Sequence, residues 1–216
     1  MPPKQFEYCY YMEARDKILI GAEELFNQYG LKSITMDDIA KHIGMSKKTI
    51  YQFFEDKESV IHHLMEYMLG ENQKIFAGIH HTASNCIDEI FKCMAQMNVM
   101  FSHRNPVLFY DLQKYYPGIW HLFRTFKQDF ILQMTAETLE KGKADGLIRE
   151  DINVGILARL RIAEIDMGFN PMAFPPEQFN VTEVQMTMAE HFLYGACTLE
   201  GFKQLEKFKR KQLNKT

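Results

Sequence analysis

Cysteines at metal-ligand or disulfide spacing are missing from this sequence. The four present, Cys9, Cys86, Cys93 and Cys197, are scattered with no C-x-x-C among them, which argues against a zinc ribbon or a disulfide framework. Long apolar runs are missing too. No stretch reaches the ~18 continuous apolar residues of a membrane span, and no early segment joins a basic start to an apolar stretch and a small-residue cleavage site. The expectation is a soluble, reduced, cytoplasmic protein with no membrane partner. Basic charge is not in excess: 25 Lys and Arg stand against 28 acids, a formal net charge of −3. Any surface that meets a polyanion must therefore arise from local placement of charge. Sustained strand-like alternation, internal repeats and nucleophile motifs are also lacking, so neither an enzyme nor a cofactor is expected. His62, His63 and Glu66, with His80 and His81, fix no third ligand by spacing and read as surface residues, so no metal is expected either.

What the chain does have is helical periodicity almost throughout, with Gly and Pro falling between the periodic segments. Ile18, Ala22, Leu25, Phe26 and Tyr29 make a one-sided stripe closed by Gly30. Thr35 is placed to N-cap a short helix carrying Asp37 and Asp38 in its first turn. Gly44 ends that helix, Ser46 can cap the next, and Asp56 can cap a fourth running from Lys57 towards Phe76. From about Ala83 the helices lengthen. Ile87, Ile90, Phe91, Met94 and Phe101 share a face, and Asn105-Pro106 reads as a cap with a first-turn proline. Ile119 to Met134 keeps helical spacing until the Gly142 to Gly146 region. Two more helices are expected, at about Asp151 to Phe169 and Val181 to Leu205.

Between Met36 and Phe54 the order is short helix, tight turn, second short helix. Ala40 is small where two helices cross, Gly44 allows the turn, and Ile50 can plug the angle. This is the packing logic of a helix-turn-helix, whose second helix enters the major groove; the spacing alone also fits a solvated helical hairpin. With Ile50 and Phe53 facing inward, Lys47, Lys48, Thr49, Tyr51 and Gln52 are left for outside contacts with bases and phosphates.

The wider run from Arg15 to Leu64 resembles the TetR family of repressors over the whole of its DNA-binding domain. The resemblance rests on Tyr29-Gly30, on Thr35-Met36-Asp37-Asp38-Ile39-Ala40, on Gly44 to Tyr51, and on Phe54-Glu55-Asp56-Lys57-Glu58. It implies an all-α homodimer that binds double-stranded DNA: an N-terminal three-helix helix-turn-helix domain, then a larger helical bundle for ligand binding and dimerisation. The implied divisions are 1–56 for the N-terminal extension and DNA-binding domain, 57–82 for a connecting helix, and 83–216 for the bundle. By carry-over, Lys47, Lys48 and Gln52 contact DNA from the recognition helix and Tyr51 and Lys57 hold phosphates. Thr35 adds a backbone contact, and Ser46 and Thr49 complete the expected DNA-binding set. One feature fits poorly: residues 1 to 66 hold 8 Lys and Arg against 11 acids. Few phosphate contacts per subunit are expected, with binding dependent on the dimer. The lead Met1 to Met12 has no counterpart in the family pattern; its Lys4 reads as part of a flexible or docking end.

In the C-terminal body, Val181, Val184, Met188, Phe192, Gly195, Leu199 and Phe202 alternate by three and four residues, the seam of a long helix-to-helix contact. The family resemblance makes the last two helices a four-helix dimer interface, expected at Leu157, Ile165, Val184, Met188, Phe192, Gly195 and Leu199. Completion of the monomer core explains part of the same pattern. The middle helices crowd aromatics together. A pocket for an unidentified small, largely apolar effector is expected at Phe101, His103, Arg104, Tyr110, Trp120, Phe123, Gln128 and Phe130. For each single aromatic, core packing is the commoner role. The expected function is a repressor released from a palindromic operator by that effector. The alternatives are control by a protein partner, or by nothing bound in the core, and a small-molecule-binding or enzymatic bundle with a vestigial DNA module.

Overall fold

The computed structural model describes residues 13–102, 105 and 107–213, without the side chains at 98, 100–102 and 211–213. The Met1 to Met12 lead, His103, Arg104, Pro106 and the last three residues lie outside that description. The described residues form α1 (Ala14–Tyr29), α2 (Met36–His42), α3 (Lys47–Tyr51), α4 (Lys57–Thr82), α5 (Cys86–Ser102), α6 (Val107–Tyr115) and α7 (Pro117–Phe126). After a π-helical segment at Lys127–Ile131 come α8 (Leu132–Ala144), α9 (Val154–Gly168), α10 (Val181–Ala196) and α11 (Leu199–Leu213). No strand occurs among the described residues, only an isolated bridge between Ile148 and Cys197. None of their helices is long and apolar enough to cross a membrane.

The chain divides into two compact units, one of residues up to Met68 with Val107–Trp120, the other of Leu69–Pro106 with His121–Thr216. This division differs from the one expected at 56 and 82. The continuous helix α4 begins in the first unit and ends in the second, and α6 belongs with the N-terminal helices. In the first unit, Ile18, Ala22, Ile39, Ile50 and Val60 are fully buried. The expected caps form: Thr35 accepts from the Asp38 N–H in a reciprocal capping box, Ser46 accepts from the Thr49 N–H, and Asp56 accepts from the Ser59 N–H. Gly44 turns the chain with φ 67°, a left-handed conformation that side-chain-bearing residues avoid. Two expectations are corrected here. Phe53 is 42% exposed and Phe54, at 2%, takes the inward place, because α3 ends at Tyr51 and the chain leaves the helical register. Tyr29, at the end of its stripe, is also exposed.

The second unit is built around Cys86, Ile87, Leu139, Ile148, Leu193, Ala196 and Leu205. The single helix expected from Val181 to Leu205 is broken at Cys197. The cause lies about fifty residues upstream, where the Gly146–Arg149 segment docks on the break. The Thr198 N–H donates to Leu147 O, the Arg149 N–H donates to Ala196 O, each at 2.9 Å, and Thr198 Oγ1 donates to Gly146 O at 2.8 Å. Gly201 is needed for this approach: a Cβ there would stand 2.1 Å from Leu147 O. In the π-helical segment Lys127 is buried and ion-paired with Asp166 of α9.

Candidate functional site

The turn at Gly44 and the cap at Ser46 present α3 with Lys47, Lys48, Tyr51 and Gln52 exposed, and Thr49 half-buried. The hydroxyls of Ser46 and Thr49 lie 2.8 Å apart and are engaged with each other. The two lysines differ. Lys47 Nζ is 2.5 Å from Asp37 Oδ1 at the start of α2, and that hydrogen bond holds its ammonium above the ordinary lysine range. It also stands 5.9 Å from the Tyr51 ring centre. Lys48 makes no such pair among the described residues. Thr35 Oγ1 donates to Asp38 Oδ2 at 2.6 Å, so its side chain is committed to the capping box, and the same contacts hold the Asp38 carboxyl below the usual aspartate range. An exposed ion pair such as Lys47–Asp37 is easily exchanged for a phosphate. The face thus offers two lysines, a phenol and an amide to a nucleic acid, one lysine being internally paired.

Lys57 is placed differently from the expectation of a phosphate contact. Its Nζ donates to Leu31 O at 2.9 Å and to Ile34 O at 2.8 Å, tying the start of α4 to the loop between α1 and α2. Burial lowers its pKa, with Asp111 opposing the shift. Asp111 of α6, itself buried, accepts from the Leu31 N–H at 3.0 Å and from the Lys32 N–H at 3.4 Å. Lys32 in turn lies 5.2 Å from the Tyr115 ring centre. One loop is therefore held through its carbonyls by α4 and through its amides by α6. Sequence reasoning missed Asp111; its only signal was an acid on the same helix as the apolar Leu108, Phe109 and Leu112.

The expected effector residues are divided between the two units. Tyr110 and Trp120 belong to the first unit, while Phe123, Gln128 and Phe130 belong to the second. Tyr110 is exposed and its hydroxyl accepts from Lys114. Phe123 is buried edge-on against Phe169, Phe130 stacks on Phe126, and Gln128 is exposed. Phe101 lies on α5, with its side chain outside those described, as are His103 and Arg104 entirely. A cavity of about 80 Å³ lies within the second unit, and of the described effector residues none, neither Tyr110, Trp120, Phe123, Gln128 nor Phe130, lines it. Its walls come from α4, α5, the π-helical segment, α8, α9 and α10, chiefly Phe76, Ile90, Met94, Met97, Met134 and Phe192. Glu89 and Arg161 also line it and were missed; both sit on otherwise apolar faces.

The expected dimer residues also separate. Ile165, Val184 and Phe192 are buried within the chain itself, and Leu157 and Met188 are half-buried. Gly195 and Leu199 are exposed, and a Cβ at Gly195 would meet nothing within 4 Å. The α10 part of the periodic seam, from Val181 to Phe192, is largely the core-facing side of that helix. The outer side of α9 carries its own apolar row, Ile156, Leu160, Ala163 and Met167, all exposed, and Phe202 is exposed on α11. Among the described residues no group of three or more His, Cys, Asp or Glu is arranged to hold a metal.

Residues 18–64, which contain this turn and its exposed face, match the family model described as bacterial regulatory proteins, tetR family. Over 181 residues the chain is 24% identical to the uncharacterized HTH-type transcriptional regulator YvaF of Bacillus subtilis, covering 83% of this chain and 93% of the relative. It is 25% identical over 152 residues to the HTH-type transcriptional repressor KstR2 of Mycolicibacterium smegmatis, covering 67% of this chain and 72% of that one. Among solved structures, a TetR-family regulator from Marinobacter aquaeolei superposes with a TM-score of 0.70 at 20% identity, covering 93% of this chain and 98% of its own. A putative transcriptional regulator from Saccharomonospora viridis, solved in complex with choline, gives 0.67 at 18% identity, covering 86% and 98%. At such identities the structures establish the fold, and the relatives are regulators rather than enzymes. The fold, the matched segment and the exposed face of α3 agree: residues 18–64 carry the DNA-binding segment of the tetR family of bacterial regulatory proteins, and the chain shares the fold of solved TetR-family regulators.

Proposed function

We propose that this DNA-binding regulator acts as a homodimeric repressor that leaves a palindromic operator when a small, largely apolar effector occupies the cavity of the second unit. The observation that carries the DNA-binding half is the exposed face of α3, where Lys47, Lys48, Tyr51 and Gln52 stand clear of the core behind the Gly44 turn. Lys48 and Gln52 are assigned to base edges, and Tyr51 and Lys47 to phosphates, Lys47 after release from Asp37. Ser46, Thr49 and Thr35 act mainly by shaping the two helix starts. Lys57 is assigned to the loop clamp, with its effect on DNA exerted through the position of α2.

The apolar row on α9 with Leu199, Phe202 and the open Gly195 is proposed as the surface that meets a second copy. For the effector, the cavity favours a core ligand over control by a protein partner alone. The Saccharomonospora viridis regulator with choline provides a precedent of the same fold holding a small molecule. The two functions share α4. Lys57 at its start clamps the α1–α2 loop, and Phe76, later on the same helix, lines the cavity. A ligand shifts operator affinity only if it prefers the DNA-incompetent arrangement, and operator DNA must then weaken ligand binding by the same factor. Selection of binding sites from random DNA tests the core of this reading. A two-fold-symmetric motif is expected, with affinity falling as salt rises; recovery of no enriched motif would overturn it.

A further inference from the structure

The fold treats the two carboxyl oxygens of Glu89, a residue only 1% exposed, unequally. Oε1 accepts from Thr138 Oγ1 at 2.5 Å and is hydrogen-bonded to His80 Nδ1 at 2.7 Å. Oε2 is buried with no hydrogen-bond partner. Buried acceptors are nearly always satisfied, because an unmade bond keeps the full cost of leaving water. Glu89 lines the cavity of about 80 Å³, so the carboxyl group that carries the orphan acceptor borders that space.

The other polar groups on the wall are already engaged. Thr135 Oγ1 donates to Ile131 O, the one Thr138 hydroxyl hydrogen is shared between Glu89 Oε1 and Met134 O, and Arg161 donates through Nη1 to Glu164 at 3.2 Å. No ion pair joins Arg161 to Glu89 among the described residues. His80 faces two acids, Glu89 and, at 3.5 Å through Nε2, Glu137, so the cluster holds more negative than positive groups. A lone water needs two to four polar partners, and among the acceptors described on this wall Oε2 is the one left unpaired. The rest is apolar: aliphatic side chains and the Cys93 thiol, together with the thioethers and rings of Met94, Met97, Met134, Phe76 and Phe192. Methionines reshape around a guest, and ring faces attract cations.

From this geometry we propose that the cavity selects a small organic amine in its protonated form. The ammonium donates to Glu89 Oε2, and the hydrocarbon body lies against the methionines and phenylalanines. This rests on the reading of the cavity as the effector site and names the chemical class it takes. The space is smaller than the ~150 Å³ apolar cavity that accepts benzene, so a short linear body fits best.

The test uses three probes of one size, n-butylamine, 1-butanol and butanoate, titrated by calorimetry into the full-length protein near neutral pH. The amine is expected to bind at least tenfold tighter than the alcohol, and the acid weakest. Glu89→Gln should bring the amine down to the level of the alcohol while the alcohol changes little. Equal or tighter binding of butanoate or butanol, or no binding of any probe to the wild type, overturns the proposal without reference to the variant. An amine preference that persists in Glu89→Gln also overturns it. Site selection on the same preparation separates the two readings: an enriched operator with no amine bound removes this inference and leaves the DNA-binding regulator standing.

Discussion

Replacing Asp111 probes the loop clamp through a buried bond of known geometry. In Asp111→Ala the Leu31 N–H, now bonded at 3.0 Å in the interior, loses its acceptor and has no water to turn to. Leaving such a donor unmade costs about 1–3 kcal/mol, and bonds to a charged group lie in the upper part of that range. The weaker contact with the Lys32 N–H at 3.4 Å and the lost attraction to Lys57 add to this. A loss of about 2–3 kcal/mol follows. Asp111→Asn keeps an acceptor oxygen and loses only the charge, so about 1 kcal/mol is expected. The assay is urea unfolding at fixed protein concentration, since association shifts apparent stability. Trp120, the single tryptophan, belongs to the same compact unit as Asp111 and reports on its unfolding by fluorescence. With a slope of about 2–3 kcal/mol per molar urea, the Ala variant should lose about 1 M in midpoint. Asp111→Ala within about 0.5 kcal/mol of wild type would refute the clamp, as would Asn proving as damaging as Ala. Lys57→Met supplies the coupled control: the double variant should lose less than the two single losses combined, because both act on the same loop.

Asp37→Asn frees Lys47 and removes an acid from beside α3, so affinity for non-specific DNA should rise and its salt dependence steepen; anisotropy titrations showing no change would refute the pairing. Leu160→Glu and Leu199→Glu should convert the protein to a folded monomer, seen by sedimentation with helicity retained. Val184→Glu should instead unfold the second unit, and dissociation without unfolding would show that Val184 faces the partner after all. Burial pushes the thiols of Cys86 and Cys93 up to about 12 and that of Cys197 to about 11. The reactive thiolate is therefore scarce near neutrality, and peptide mapping should find these three slow to alkylate in the native protein and fast in urea.

Local chemistry was legible before any coordinates. The caps at Thr35, Ser46 and Asp56 and the turn at Gly44 depend on residues within four positions, so the chain encodes them without reference to distant neighbours. Helical periodicity likewise identified most of the helices, and the run from Arg15 to Leu64 carried the family resemblance. The engagement of the Lys57 ammonium by two loop carbonyls more than twenty residues away was not legible, because only the fold brings them within reach. Periodicity says that a helix has an apolar face, not which neighbour covers it. Thus Ile165, Val184 and Phe192 proved to be core, and the exposed row lay on Ile156, Leu160 and Met167. The aromatic cluster could not reveal a cavity, since space is a property of packing between helices; its walls draw on residues from Phe76 to Phe192. The break after Ala196 was equally hidden, because Gly146–Arg149 supplies the hydrogen bonds that end α10 and permit α11 to start afresh. Asp111 reaches Leu31 across eighty positions and Glu89 reaches Thr138 across forty-nine. Only tertiary packing removes water from such carboxyl groups and decides which donors they find, and which they lack.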